Sequence, residues 1–128
     1  AMEGAALEAY AVTLAMKEEK EFLDKLIDFT CNDIYRGKLD CIRKLSLIKQ
    51  NKREIVNELG NGIEAFNSVP IAIYSFIVSS SFEDSLIYSI SLGGDTDTIA
   101  AMCGAIAGAW WGVEKIPAKW KAKLEKKE

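Results

Sequence analysis

The sequence predicts an all-α protein, and three observations carry that expectation. Apolar residues recur at helical spacing in segment after segment, as in Leu7, Tyr10, Ala11 and Leu14, then Phe22, Leu23, Leu26 and Ile27. Residues that cap helices stand in front of such stretches: Asn51 precedes KREIVNEL, and Ser81 lies three residues ahead of Asp84. No stretch sustains the apolar–polar alternation of a half-buried strand.

The elements follow in order. A first helix is expected over 3–16, with Ala6, Leu7, Tyr10, Ala11, Leu14 and Ala15 forming its apolar stripe. Its start, AMEGAALEAYAVTLAM, has neither a capping residue nor the basic region of a signal peptide, so it reads as a helix entered from an upstream segment. A second helix is expected over 19–35, with Phe22, Leu23, Leu26, Ile27 and Phe29. A third covers 39–49 through Leu39, Ile42, Leu45 and Ile48. Asn51 caps a short fourth helix, and Gly60 ends it. NGIEAFNSVP is a turn-rich connector. Its Asn61-Gly62 pair suits a hairpin, but no alternating strands flank it. Ser68 then reads as an N-cap, with Pro70 tolerated in the first turn. IAIYSFIVSS and LIYSISL have strand-like composition and are read here as buried helices. Asp95 begins the next helix, in which Gly104, Gly108 and Gly112 recur every four residues beside Ala101, Ala105 and Ala109. Small residues on one face let a neighbouring helix come close, as in a tightly packed core. Pro117 starts a last short helix through Trp120 and Leu124.

The totals bound the function. A chain of 128 residues builds about one small domain. A net charge of -3 and a pI near 5.1 give no electrostatic footprint for nucleic acid. The basic tail KWKAKLEKK reads as the solvated face of its helix. Three cysteines without repeated spacing make no disulfide framework and suit a reducing compartment, and Cys103, among Ala and Gly, reads as a small buried hydrophobe. With no histidine, the chain has no Cys-His pair, no Ser-His-Asp triad and no histidine ligand for zinc. The longest apolar run, 99–113, is shorter than the roughly 20 residues of an ordinary membrane span.

One stretch asks for chemistry. SLGGDTDTIA, residues 91–100, sets two glycines before Asp95-Thr96-Asp97-Thr98 and then enters the most apolar segment of the chain. Gly93 and Gly94 allow a sharp bend, and side chains from the first turn of a helix can converge beyond its end. Plain N-capping accounts for one aspartate, because a carboxylate suits the positive end of the helix dipole. A hard-metal site accounts for the set, because Mg²⁺ takes carboxylate, hydroxyl and water oxygens. Asp-x-Asp after an apolar run also resembles the haloacid-dehalogenase phosphotransferases, but no βαβ alternation accompanies it.

The stronger likeness is to the ADP-ribosylglycohydrolase family. YSISLGGDTDTIAAMCGAIAGAWWG resembles that family's C-terminal metal motif, and ELGNGIEAFNSVPIAIYSF resembles the segment before it. The likeness runs from residue 3 onward, more weakly over 20–50. Within the family it leans toward members that hydrolyse serine-linked ADP-ribose and poly(ADP-ribose). It implies an all-α orthogonal helical bundle, of which 1–128 would be the C-terminal part of one domain.

The resemblance also implies a site and a reaction. Asp95, Asp97 and Thr98 would be ligands in a two-ion Mg²⁺ site, one carboxylate bridging both ions. Gly62 and Ile63 would contact ADP-ribose. The reaction would be hydrolysis at the anomeric carbon of the distal ribose, passing through an oxocarbenium-like state. The expected partners are ADP-ribose or ADP-ribosylated proteins in the cytoplasm, nucleus or mitochondrion, without nucleic acid or membrane. The family's remaining machinery includes a glutamate on a mobile loop, a Thr-Asp-Asp run, glycine-rich phosphate loops and a substrate-contacting histidine. These lie upstream in the family and have no counterpart here, so the catalytic residue is unassigned. A chain of this extent is expected to be inactive alone and, with apolar helix faces left open, to self-associate.

Overall fold

The computed structural model describes residues 2–46 and 51–112, and these are helical without any strand. The elements are α1 (Met2–Met16), α2 (Phe22–Phe29), α3 (Asp33–Leu45), α4 (Lys52–Leu59), α5 (Ala65–Ile77), α6 (Phe82–Ser91) and α7 (Thr96–Trp111). Helix α7 packs against α1, α5 and α6, while α5 also touches α3 and α4, so these two helices form the centre. The stretch Ser68–Phe76 of α5 is buried on every side. That explains its strand-like composition: a helix enclosed all round loses its polar face.

The core is aliphatic, with Leu7, Leu26, Leu39, Ile42, Leu59, Ile71, Ile73, Ile99 and Ile106 among the fully buried residues. Each such side chain contributes about 1.5–3 kcal/mol by leaving water. Phe76 adds aromatic contacts, at 5.3 Å from Phe22, 5.6 Å from Trp110 and 5.5 Å from Trp111. The glycine face of α7 does what its spacing predicts. A Cβ on Gly104 would sit 3.3 Å from Leu86, and one on Gly108 would sit 3.8 Å from Phe82, so α6 lies directly over it. Cys103 is fully buried, its thiol donates toward the Ser85 carbonyl, and burial pushes that thiol up to about 12.

Three expected boundaries shift. The segment 19–35 is two helices rather than one, because Asn32 caps α3 by accepting from the N–H groups of Ile34 and Tyr35 at 2.8 and 3.2 Å. Glu3 of α1 fixes that corner, accepting from the Thr30 hydroxyl and the Asn32 N–H. The third helix therefore begins at Asp33, ahead of the expected 39.

Ser68 is not an N-cap. Helix α5 starts at Ala65 after Glu64, and Ser68 lies inside it, its hydroxyl donating to the Glu64 carbonyl. Pro70 consequently lies in the helix interior rather than its first turn. Having no N–H, it leaves the Phe66 carbonyl without its helical donor. Lys38 fills the vacancy, donating to that carbonyl at 2.7 Å.

The caps at Asn51 and Ser81 form as expected, accepting from Glu54 N–H and Asp84 N–H. Gly60 ends α4 at φ 85°. Ile48, the expected helix from Pro117 to Leu124 and the basic tail lie outside the described residues.

Candidate functional site

The glycine pair of SLGGDTDTIA turns the chain out of α6 and into α7. Gly93 and Gly94 take φ of 77° and 73°, a region that L side chains rarely adopt. At Gly94 a side chain would also run into the carbonyl oxygen and side chain of Asn61. Asn61 belongs to the α4–α5 connector and is bound to the turn twice. Its carbonyl accepts the Asp95 N–H at 2.9 Å, and its side-chain amide donates to the Leu92 carbonyl at 3.0 Å. The connector bearing Gly62 and Ile63 and the turn bearing the aspartates are thus one hydrogen-bonded unit.

Asp95 occupies the N-cap position of α7, yet its side chain makes no capping hydrogen bond. Its Oδ2 atom is buried without a partner. Capping therefore does not account for this carboxylate. Asp97 and Thr98 follow in the first turn, and both are exposed. The three residues offer two carboxylates and a hydroxyl at one helix end, a donor set that suits a hard cation. The described residues contain no group of three or more His, Cys, Asp or Glu able to hold a metal.

Ile63 is 76% exposed, unusual for a large apolar side chain. Ile63 and Thr98 line one cavity of about 440 Å³, between α1, the connector and α7. Gly62 is not part of that wall. A Cβ there would lie 2.9 Å from the Glu64 carboxylate, the mobile end of a long side chain.

The connector is held from below by Lys38. Its ammonium donates to the carbonyls of Leu59 and Phe66 and to Asn67 Oδ1, at 2.8, 2.7 and 2.7 Å. Desolvation lowers its pKa.

Glu8 of α1 lines the same cavity as Ile63 and Thr98. Both of its carboxylate oxygens are buried and unpartnered, and desolvation pushes its carboxyl up to about 8. The sequence marks Asn61 only as a turn residue beside Gly62, and neither Glu8 nor Lys38 falls in a motif. Of the latter two, Glu8 left a trace, as an acid beside Leu7 and within a run of small and apolar residues.

The family model for ADP-ribosylglycohydrolase matches residues 1–128. The chain belongs to the ADP-ribosylglycohydrolase family. Among its relatives, cattle (Bos taurus) ADP-ribosylhydrolase ARH3 is 39% identical over 95% of this chain and 42% of its own. Human (Homo sapiens) ADP-ribosylhydrolase ARH3 is 52% identical over 58% of this chain and 23% of its own. The ADP-ribosyl-[dinitrogen reductase] glycohydrolase of Rhodospirillum rubrum is 36% identical over 48% of this chain and 21% of its own. The chain thus spans less than half the length of the curated relatives it matches. As an ADP-ribosylglycohydrolase chain it is all-α, in keeping with the family fold, and no helix among the described residues is long and apolar enough to cross a membrane.

Proposed function

We propose that this chain forms the metal- and ribose-binding part of a Mg²⁺-dependent ADP-ribosyl hydrolase. The substrates in view are serine-linked ADP-ribose and poly(ADP-ribose), cleaved at C1 of the distal ribose. The observation that carries the reading is Asp95. Its carboxylate stands at a helix N-cap, leaves the helix uncapped and keeps one buried oxygen without a partner. A buried carboxylate oxygen without a partner is costly, and a cation is one partner that offsets it.

Asp95, Asp97 and Thr98 would hold the metal. When bound, Mg²⁺ supplies Lewis-acid stabilisation of charge and orients sugar hydroxyls. The protein's own part is positioning. Asn61 sets the Asp95 main chain, Gly94 admits Asn61 at close range, and Ile63 presents an apolar surface beside Thr98. Orienting a sugar against fixed groups is itself a large share of catalysis.

A second reading is binding without turnover. It is favoured by the lack of a third metal-competent acid near the pair among the described residues.

Calorimetric titration of Mg²⁺ and then ADP-ribose, with Asp97→Asn alongside, tests the proposal. Binding that the substitution abolishes supports a working half-site. No uptake of either ligand removes the reading for this chain. Release of ADP-ribose from an ADP-ribosyl-serine peptide, leaving the unmodified peptide, separates the hydrolase from the binder.

A further inference from the structure

Four helices among the described residues start after an Asn, Asp or Ser, and at one of them the side chain does not cap. Asn32, Asn51 and Ser81 have ψ of 126°, 160° and 163°, the extended backbone of an N-cap, and each side chain accepts from an N–H of its helix. Asp95 has φ -81° and ψ 70° and makes no such bond. These angles describe an inverse γ-turn, and the bond that closes one is present: the Thr96 N–H donates to the Gly94 carbonyl at 2.9 Å. The turn keeps the Asp95 carboxylate off the first N–H groups of α7, and its Oδ2 atom stays buried without a partner. Aspartate is among the best capping residues, so something outside α7 must hold it in this turn.

Asn61 grips that turn on both sides. Its carbonyl accepts the Asp95 N–H at 2.9 Å, and its side-chain amide donates to the Leu92 carbonyl at 3.0 Å. Leu92 is the C-cap of α6, where a carbonyl has no partner within its own helix. Between the two bonds lies Gly93-Gly94, and the Asn61 side chain sits so close that a Cβ on Gly94 would strike it. We propose that the Asn61 side chain is a positioning residue for the ion: by clamping Leu92 it holds Asp95 in the γ-turn, out of the cap and available to Mg²⁺. The assignment rests on the Mg²⁺ reading above. Without the clamp the turn relaxes, Asp95 takes the extended backbone of its three counterparts, and its carboxylate is committed to the N–H of Asp97 or Thr98. Groups that orient a metal ligand from behind typically set affinity by about 10–100-fold.

The test is calorimetric titration of Mg²⁺ into wild type, Asn61→Ala and Asn61→Asp, with metal-free thermal melts of wild type and Asn61→Ala, each with and without Asp95→Ala. Both Asn61 variants keep the main-chain bond to Asp95 and lose only the donor to Leu92. Asn61→Ala is expected to weaken Mg²⁺ about tenfold or more. Asn61→Asp is expected to weaken it too, although it adds a negative charge near the ion, because a carboxylate cannot donate to the Leu92 carbonyl. In the melts, Asp95→Ala is expected to lower the melting temperature more in the Asn61→Ala background than in wild type, because the released carboxylate has become a cap. A merely structural Asn61 would not create that coupling. Unchanged Mg²⁺ affinity in Asn61→Ala, or tighter binding by Asn61→Asp, overturns the assignment while the functional reading stands. An Asp95→Ala loss of equal size in both backgrounds also overturns it. A wild-type chain that takes up no Mg²⁺ removes the functional reading, and the assignment falls with it.

Discussion

Asn61 and Asp95 are joined main chain to main chain, the Asp95 N–H donating to the Asn61 carbonyl at 2.9 Å. This one bond ties the α4–α5 connector to the start of α7. Gly94 makes it possible, because any side chain there would strike Asn61 while also forcing an L residue to φ 73°. Gly94→Ala is therefore expected to cost about 2 kcal/mol or more, combining left-handed backbone strain with a backbone collision. Urea unfolding of wild type and variant measures it. Wild-type stability in Gly94→Ala would mean that the turn relaxes freely and does not position Asp95.

Asp95→Ala separates the two roles open to that carboxylate. Where a side chain caps a helix, losing the cap to Ala costs about 1 kcal/mol. Asp95 makes no capping bond, so Asp95→Ala is expected to change metal-free stability by well under that amount. The same substitution is expected to abolish any rise in melting temperature on adding Mg²⁺. A metal-free loss near the capping value, with no Mg²⁺ effect in wild type, would return the residue to plain capping.

Lys38 is expected to matter beyond its surface position. It donates to three oxygens on the helix ends flanking the connector, one of them the Phe66 carbonyl that Pro70 cannot serve. Lys38→Met leaves these acceptors unpaired and is expected to lower stability by about 2–3 kcal/mol. Lys38→Arg is not expected to restore it, because a planar fork does not reproduce three donors diverging from one nitrogen. Denaturant melts of the three proteins decide the matter, and full rescue by Arg would show that charge alone is at work.

The sequence exposed those parts of the structure whose causes are local. Asn51 and Ser81 cap within three residues of themselves, Gly60 stops a helix in place, and the glycines of α7 repeat on one face. Asp95, Asp97 and Thr98 stood out because they are adjacent. The errors arose where distant contacts decide. Asn32 breaks the run 19–35 at a corner that Glu3 fixes from across the chain. Ser68 looked like a cap because a proline two residues later is ordinarily near a helix start, and Lys38 is what lets Pro70 lie deeper. The burial of Glu8 was illegible because its lack of a partner exists only once the helices are packed together.

Open apolar surface makes self-association an expected property of the isolated chain. Ile87 and Ile90 are three apart on α6 and about half exposed, and Ile34 on α3 is similarly open. Sedimentation velocity across a tenfold concentration range is expected to show a species larger than 14.1 kDa that grows with concentration. Replacing Ile87 and Ile90 with Glu is expected to reduce it. A single monomer boundary at every concentration, with a cooperative melt, contradicts the expectation.

Glu8 also gives stability a pH dependence with a defined sign. Burial raises its folded-state carboxyl from 4.5 to about 8, so between those values the folded chain holds a proton that the unfolded chain has released. Stability contributed by this group is full below about 4.5, declines as pH rises toward 8, and levels off above that. Other carboxylates act in the opposite direction at lower pH; the pKa of Glu19 is lowered, chiefly by its bond to the Glu21 N–H. The difference between wild type and Glu8→Gln isolates the Glu8 contribution. Glu8→Gln is expected to gain on wild type steadily from pH 5 to pH 8, because glutamine has no charge to bury. Chemical denaturation of both proteins at pH 5, 6.5, 8 and 9 gives the curve. A constant difference across that range would mean that Glu8 titrates normally in the folded chain, through a partner or water that relieves its burial.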